Sequence, residues 1–188
     1  MRAAGFVLAG GRSSRMGRNK ARLRVGSRLL VELVASQVAQ VADSVTLIGR
    51  PEDFSDLAFP CLADLHPGLG PLAGLEAALA SSGAEFNVVT SCDIPGIQAD
   101  DLRRLLAICR QTQSRCALAR DPSGRKHPLY AVYHQECLPV VKAALDAGRL
   151  RLLDLVEELR AVEVPIDSVL RNLNTPEDWA AWQAAQPA

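Results

Sequence analysis

The sequence predicts a three-layer α/β domain with a mostly parallel sheet, and three observations support this fold class. Short apolar runs alternate along the chain with segments whose apolar residues recur at helical spacing. The first run stops at Gly10 and Gly11, as a buried strand does where it enters a loop. The 188 residues are 48% hydrophobic, which suits a single domain over residues 1–188 with a full-sized core.

Four apolar runs are predicted to be strands. Residues 3–9 form a short run typical of a strand that is buried on both faces. Ser44–Ile48 is rich in β-branched residues and is closed by Gly49. Phe86–Ser91 and Leu129–Tyr133 are the third and fourth runs. Strands that alternate with helices imply a largely parallel sheet with helices on both faces.

Helices are predicted between and after these strands. Three apolar stripes have helical spacing: Leu30, Val34, Val38 and Val41; Leu102, Leu105, Leu106 and Cys109; and Leu152, Leu155, Val156 and Leu159. Pro71 is tolerated in the first turn of a helix that runs through Leu72–Ser82. Asp100 is predicted to cap the helix of the second stripe. Thr175 is predicted to cap a last short helix that has Pro176 at its first position.

Composition argues against several classes of protein. The 21 basic and 21 acidic residues balance, and only 4% of residues are aromatic, so a nucleic-acid-binding face is not expected. No apolar run approaches the length of a membrane span, and the N-terminus lacks the features of a signal peptide. The five cysteines are odd in number and form no C-x-x-C pair, which indicates buried thiols in a reducing compartment without a zinc site. We therefore expect a cytoplasmic protein without a nucleic-acid or membrane partner.

The loop after the first strand is the strongest candidate for a phosphate site. Ligands of parallel α/β sheets bind at the carboxyl ends of strands, which here means the segments after Ala9, Ile48 and Ser91. Paired glycines allow backbone N–H groups to face a phosphate without obstruction by a Cβ atom. Four cations follow the glycines: Arg12, Arg15, Arg18 and Lys20. This combination is suited to a triphosphate, although a plain loop with solvated basic residues is the alternative.

Two well-known phosphate loops do not match this segment. The P-loop requires four residues between its glycines and then Gly-Lys-Ser/Thr, whereas five residues separate Gly11 from Gly17 and Arg18 follows. The dinucleotide motif G-x-G-x-x-G also fails, because Gly10 and Gly11 are adjacent. The loop must therefore be interpreted from its own residues.

Asp93 is the candidate ligand for Mg²⁺. It follows an apolar run at a strand end, where a carboxylate is well placed to hold an ion that prefers oxygen ligands. The alternative is a turn or cap aspartate before Pro95. For Asp64, nucleotide contact and a simple turn role are equally compatible with the sequence.

Other polar residues have both a functional and a structural interpretation. His127 could touch an anionic acceptor, but a structural role is favoured, as it is for His66 and His134. Cys92 is expected to be a buried thiol, because no histidine base stands at a recognisable spacing. A second set could line a ligand pocket or only form turns: Gly68, Gly70, Gly74, Asn172 and Asn174.

Together, these residues resemble a known family. The L-A-G-G-x-S-x-R-M-G-x-x-K pattern of residues 8–20 is similar to the signature of nucleotidyltransferases that activate sugars and cofactors. Four further segments narrow the resemblance to the molybdenum cofactor guanylyltransferases: Gly70–Leu75, Cys92–Pro95, His127–Tyr130 and Asn172–Asp178. The resemblance extends from Gly5 to about Trp182 and implies a single Rossmann-like nucleotidyltransferase domain.

The resemblance implies a site and a reaction. The nucleotide-binding residues would be Leu8, Ala9, Gly10, Gly11, Lys20, Asp64 and Asp93. Arg15, Lys20 and Asp93 would be catalytic, and Asp93 would hold the Mg²⁺ cofactor. The enzyme would transfer GMP from GTP to molybdopterin or molybdenum-molybdopterin and release pyrophosphate. Its protein partners would be a cofactor-delivering protein and acceptor molybdoenzymes.

One departure from the family keeps the choice of base open. Members can carry an asparagine near the end of the second strand, where this chain has Ile48 and Gly49. A molybdopterin cytidylyltransferase and a sugar-1-phosphate nucleotidyltransferase are therefore the near alternatives. A nucleotide-binding regulator without turnover is the alternative from a different class, although Lys20 together with Asp93 argues for catalysis.

Overall fold

A seven-stranded sheet forms the centre of the computed structural model, which describes residues 2–10 and 19–185. The described strands are β1 (Ala3–Leu8), β2 (Arg24–Val25), β3 (Arg28–Leu29), β4 (Ser44–Ile48), β5 (Cys61–Leu62), β6 (Phe86–Ser91), β7 (Cys116–Arg120), β8 (Lys126–His134) and β9 (Val162–Pro165). The order in the large sheet is β5-β4-β1-β6-β8-β7-β9, and β2 and β3 form a separate hairpin. Among the described strands of the large sheet, β8 alone runs against its neighbours, so the prediction of a mostly parallel sheet is confirmed.

Helices cover both faces of the large sheet. They are α1 (Leu30–Val38), α2 (Pro71–Ser81), α3 (Ala99–Thr112), α4 (Leu138–Asp146), α5 (Leu152–Glu158) and α6 (Pro176–Ala184). The apolar residues of α1 and α3 share one buried cluster with one face of the sheet. Those of α2, α4 and α5 share a second cluster with the other face, which completes the three layers.

The central strand shows why its sequence is apolar throughout. Ala3 and Val7 of β1 face the layer of α1 and α3, whereas Phe6 and Leu8 face the layer of α2. A strand buried on both faces cannot alternate polar with apolar residues, which is what the run at residues 3–9 indicated. No helix in the described ranges has the length and apolar character needed to cross a bilayer.

The predicted cap of α3 was wrong. The helix begins at Ala99, so Gln98 occupies the cap position and Asp100 lies inside the first turn. There the Asp100 carboxylate pairs with Arg103, and a negative charge in the first turn still favours the helix. By contrast, Thr175 caps α6 as predicted, because its Oγ1 accepts a hydrogen bond from Asp178 N at 3.1 Å.

Candidate active site

The carboxyl ends of three neighbouring parallel strands lie level at one edge of the sheet. Leu8 of β1 is in register with Ile48 of β4 on one side and with Ser91 of β6 on the other. Beyond β6, Cys92 N donates a hydrogen bond to Leu8 O at 3.0 Å. The three segments predicted to form a ligand site therefore begin side by side.

Glycines allow the backbones at this edge to approach closely. A Cβ atom on Gly49 would lie 3.3 Å from Gly10 N, which is tighter than almost all real contacts of a Cβ atom. A Cβ atom on Gly74, inside α2, would lie 3.0 Å from the Leu8 side chain. Larger residues would push apart the end of β1, the end of β4 and the start of α2.

At Gly10, in the loop after β1, the backbone N–H group does not point where the sequence predicted. Gly10 N and Ala9 N both donate to Ile48 O, at 3.0 and 2.8 Å. The Gly10 N–H group is therefore engaged with β4 and does not face a phosphate in this conformation. Gly11 and Arg15, the other residues predicted from this loop, lie outside the described residues.

Lys20 and Asp93 meet at the same edge, as the predicted site requires. Lys20 Nζ lies 3.7 Å from Asp93 Oδ2 and donates a hydrogen bond to Asn174 Oδ1 at 3.1 Å. Asp93 Oδ1 accepts a hydrogen bond from Ser91 Oγ at 2.6 Å, and Asn172 Nδ2 lies 3.5 Å from Asp93 Oδ2. We call Lys20, Asp93, Asn172 and Asn174 the edge cluster. It brings the predicted cation Lys20 and the predicted acid Asp93 together with both asparagines.

Backbone contacts hold the edge cluster in place. Asn19 Oδ1 accepts a hydrogen bond from Ala21 N at 3.1 Å and so caps the 3₁₀ turn Lys20–Arg22. Leu173 N donates to Asp93 O at 2.9 Å, which sets the two asparagines on either side of this contact. The lysine and the asparagines are therefore positioned by local structure on both sides of Asp93.

An apolar cluster joins the two chain segments that supply these residues. Leu23 and Leu30, next to the hairpin of β2 and β3, pack with Leu173 and Trp179. Burial of apolar surface contributes favourable free energy in proportion to the area buried, so this contact stabilises the packing of the C-terminal segment against the N-terminal one. The edge cluster is assembled where these segments meet.

Asp64 lies at the same edge but makes a different contact. It follows β5, which is parallel to β4, and its Oδ1 accepts a hydrogen bond from His66 N at 2.9 Å. Within the described ranges, none of its hydrogen bonds or ion pairs reaches the edge cluster. Its predicted contact with the nucleotide stays a prediction. The same loop contains Gly68 and Gly70, which have φ values of +98° and +81° that favour glycine.

Cys92 has the character of a structural thiol. It is buried beside Asp93, and burial raises the pKa of its thiol to about 12. The thiolate is the nucleophilic form of cysteine, so this residue is not activated for attack. The sequence interpretation of Cys92 as a buried thiol agrees with this environment.

A cavity of about 620 Å³ lies beside the edge cluster. Ile94 and Asn172 line it on the side of Asp93, while Arg125 and His127 line it from the start of β8. Because β8 is antiparallel, its start lies at the edge where the other strands end. The cavity could not be predicted from the sequence, since its walls come from distant segments. The basic run before Pro128 was the one available signal.

His127 combines the two roles that the sequence left open. Its Nε2 lies 3.0 Å from Asp121 Oδ2, and the side chains are only 2% and 1% exposed, which is the buried structural contact that was favoured. The ring also lines the cavity, where a ligand could reach it. Asp121, by contrast, was not singled out from the sequence.

Comparisons with known proteins give a family match and named relatives. Residues 5–164 match the family model of the MobA-like NTP transferase domain. A molybdenum cofactor guanylyltransferase from Cereibacter sphaeroides is 35% identical over 188 residues, which cover 96% of this chain and 95% of that protein. The alignment thus spans both the edge cluster and the cavity.

Solved structures show the same fold. The molybdopterin-guanine dinucleotide biosynthesis protein A from Archaeoglobus fulgidus has a TM-score of 0.81 at 24% identity, covering 96% of this chain and 97% of that one. Rv0371c from Mycobacterium tuberculosis, solved as a complex with manganese, has a TM-score of 0.77 at 17% identity. That similarity covers 99% of this chain and 100% of the other.

Proposed function

Because the chain belongs to the MobA-like NTP transferase family, we propose that it transfers GMP from GTP to the phosphate of molybdopterin or molybdenum-molybdopterin. The chain is an enzyme that transfers nucleotides, and its relatives are named molybdenum cofactor guanylyltransferases. The products would be the guanine dinucleotide form of the cofactor and pyrophosphate. The observation that carries the proposal is the contact of Lys20 with Asp93 at the carboxyl edge, next to an open cavity.

The proposed reaction needs charge stabilisation more than a base. A phosphate monoester is already an anionic nucleophile, so repulsion and misalignment are the main barriers to attack on the α-phosphate. Lys20 would stabilise the negative charge of the transferred group and of the departing pyrophosphate. Asp93 follows β6, the neighbour of β1, and Asn172 beside it lines the cavity. The triphosphate would occupy the loop side and the acceptor the cavity side, in line for displacement.

The residues present fit Mg²⁺. Asp93 Oδ2 has only the long contacts to Asn172 and Lys20, and Asn172 Oδ1 is buried without a hydrogen-bond partner in the described part of the chain. Carboxylate and amide oxygens suit this ion, which is usually held by one or two carboxylates together with substrate phosphates. Bound there, Mg²⁺ would neutralise phosphate charge. Asp93 would hold it, with Asn172 beside it.

The base preference rests on the named relatives rather than on a base-reading side chain. Near the end of β4, where members of the family can carry an asparagine, this chain has Ile48 and Gly49, and a Cβ atom on Gly49 would lie 3.1 Å from the Phe54 ring. Neither residue has a polar side chain with which to read the base. A cytidylyltransferase is the alternative outcome of the test below.

The deciding experiment supplies purified protein with Mg²⁺, molybdopterin-loaded carrier and GTP, CTP or UTP in turn. Mass spectrometry of the product and release of pyrophosphate are the readouts. We expect the guanine dinucleotide and pyrophosphate with GTP. Equal or better turnover with CTP would overturn the guanine assignment, and nucleotide binding without pyrophosphate release would indicate a regulator.

Three broader features complete the proposal. All 188 residues would form one nucleotidyltransferase domain, since segments from both halves of the chain pair in the same sheet. A cofactor-delivering protein would bring molybdopterin, and molybdoenzymes would receive the product. The five free cysteines, four of them buried, suit a reducing cytoplasmic location.

A further inference from the structure

Asp121 organises the turn that joins β7 to β8 at the ligand edge. Its Oδ1 accepts hydrogen bonds from Ser123 N at 2.9 Å, from Ser123 Oγ at 2.5 Å and from Arg125 N at 3.1 Å. Its Oδ2 contacts His127 Nε2 at 3.0 Å. One buried carboxylate thus fixes both the Arg125 backbone and the His127 ring.

Three consecutive residues, Arg125, Lys126 and His127, line the cavity, and they differ in whether their polar groups are available to a ligand. The Arg125 guanidinium is exposed and has no hydrogen-bond or ion-pair partner within residues 2–10 and 19–185. Lys126, between them, is turned to Glu163 at 3.0 Å and to Glu157 at 3.9 Å. Arg125 and His127 are therefore the two polar groups of this segment left to a ligand.

We propose that Asp121 is a positioning residue for the acceptor, and that His127 and Arg125 contact the part of the acceptor remote from its reacting phosphate. The inference rests on the proposed function. An ionised Asp121 can only accept, so Nε2 of His127 carries the proton of this contact, and in the neutral ring Nδ1 is left as an acceptor for an N–H or O–H group. Arg125 donates to a carbonyl or anionic group. The pair suits a ligand group that presents both an N–H donor and a carbonyl, as a heterocyclic ring system can.

The cavity has the size and composition for such a molecule. A volume of about 620 Å³ lies within the usual range for pockets that hold small organic ligands. Its walls include apolar residues such as Ile94, Leu129 and Leu152, against which a flat ring can pack. A few polar groups on an apolar wall are the usual means of fixing a ligand's orientation.

The test separates acceptor binding from stability. Steady-state kinetics would vary molybdopterin-loaded carrier and GTP independently for Arg125→Ala, Arg125→Lys, His127→Gln and Asp121→Asn. We expect the KM for the acceptor to rise about 10-fold in Arg125→Ala, with partial recovery in Arg125→Lys, as for loss of a charged hydrogen bond. The KM for GTP should stay within about twofold.

The His127→Gln variant tests whether His127 contacts the acceptor or only stabilises the turn at Asp121. Glutamine can keep an N–H donor near Asp121, but its acceptor Oε1 lies one bond further along the side chain than Nδ1, so His127→Gln should stay folded while the KM for the acceptor rises about fivefold or more. Arg104→Ala, an exposed arginine on α3 that does not line the cavity, is the matched control. Its acceptor KM should equal that of the wild type.

Three results would count against the inference in different ways. If the wild type forms the dinucleotide but Arg125→Ala and His127→Gln keep the acceptor KM of the wild type, the inference is overturned and the proposed function stands. If the wild type forms no dinucleotide, the proposed function fails and the inference fails with it. An Asp121→Asn protein that folds should also show a raised acceptor KM with the KM for GTP within about twofold, and an acceptor KM equal to that of the wild type would overturn the positioning role of Asp121. If this variant does not fold, Arg125→Ala and His127→Gln still test the two contacts that Asp121 positions.

Discussion

Two acid–base contacts at the carboxyl edge differ in almost every physical respect. Lys20 Nζ and Asp93 Oδ2 are 3.7 Å apart, and each side chain is 17% exposed. His127 Nε2 and Asp121 Oδ2 are 3.0 Å apart, and their side chains are 2% and 1% exposed. The first contact is long and open to solvent, whereas the second is short and enclosed.

This difference separates a site that can accept a ligand from one that supports it. Asp121 already accepts hydrogen bonds at both carboxylate oxygens. Among the residues that the structure describes, Asp93 Oδ2 has only long contacts, so it can exchange them for a metal ion or a phosphate-bound water. Substitutions at the edge cluster should therefore change turnover, and those at Asp121 should also change stability.

The largest effect is expected for Asp93→Asn. The variant keeps the shape of the side chain but removes the charge proposed to hold Mg²⁺, so kcat should fall by about 10³-fold. Added Mg²⁺ should restore only part of the lost kcat. Binding of GTP without metal should change little, or tighten as repulsion from the carboxylate disappears.

A matched control makes this result specific. Asp100→Asn removes an exposed carboxylate from the first turn of α3 and should leave kcat unchanged. Pyrophosphate release at several Mg²⁺ concentrations provides the measurement. Full activity and an unaltered Mg²⁺ dependence in Asp93→Asn would show that Asp93 is a turn residue and that the metal binds elsewhere.

Lys20→Ala should give the next largest effect. The loss of a cation that is proposed to contact the transferred phosphate should lower kcat by about 10²-fold while the fold stays intact. Arg24→Ala, an exposed cation on the following strand, is the control and should behave as the wild type. A rate for Lys20→Ala equal to that of the control would identify Lys20 as an ordinary surface charge.

Asp121→Ala tests the enclosed contact through stability. Burial alone would raise the pKa of Asp121, but hydrogen bonds from Ser123 and His127 outweigh burial and lower it. Loss of one partner of a buried pair should reduce the free energy of unfolding by about 3 kcal/mol near pH 7. Asp56→Ala breaks the exposed Asp56–Arg22 pair and should have a much smaller effect.

The pH dependence follows from the direction of that shift. A carboxyl group whose pKa is lower in the folded state stabilises the protein above its unfolded pKa, and this contribution is lost as pH falls through the folded pKa. In urea unfolding, the difference in the free energy of unfolding between the wild type and Asp121→Ala should therefore shrink as pH falls below about 4. If this difference in free energy were the same at pH 7 and at pH 3, Asp121 would not stabilise the fold as a charged carboxylate.

The two halves of the sheet were not equally predictable from the sequence. β1, β4 and β6 are continuous apolar or β-branched runs, and their shared direction places Asp93 near the loop after β1. The strands β7 and β9 were missed: β7 consists largely of small residues, and β9 is a short edge strand with exposed positions. Without them, the turn at Asp121 and the cavity wall could not be placed.

The site was predictable where a motif marks a strand end and not where contacts join distant segments. Lys20 and Asp93 follow predicted strands, so their meeting could be anticipated. The contact of Leu173 with Asp93, which aligns both asparagines, depends on a C-terminal segment that returns to the first loop. The spacing of apolar residues within a segment does not show that the segment packs against a distant part of the chain. For the same reason, the engagement of Gly10 N with Ile48 O was unexpected.

The smallest effect is expected for Asn174→Ala. Asn174 Oδ1 accepts a hydrogen bond from Lys20 Nζ at 3.1 Å at an exposed position, so the amide orients the lysine without supplying charge. Its loss should lower kcat about fivefold, in line with about 1 kcal/mol for one such hydrogen bond, and leave unfolding unchanged. In the double variant Lys20→Ala, Asn174→Ala, the second substitution should add nothing, because the amide then has no lysine to orient. Measured kcat values for the two single variants and the double variant test this coupling directly. If the two effects multiply instead, Asn174 contributes independently of Lys20, and its role at the edge cluster is contact with the acceptor.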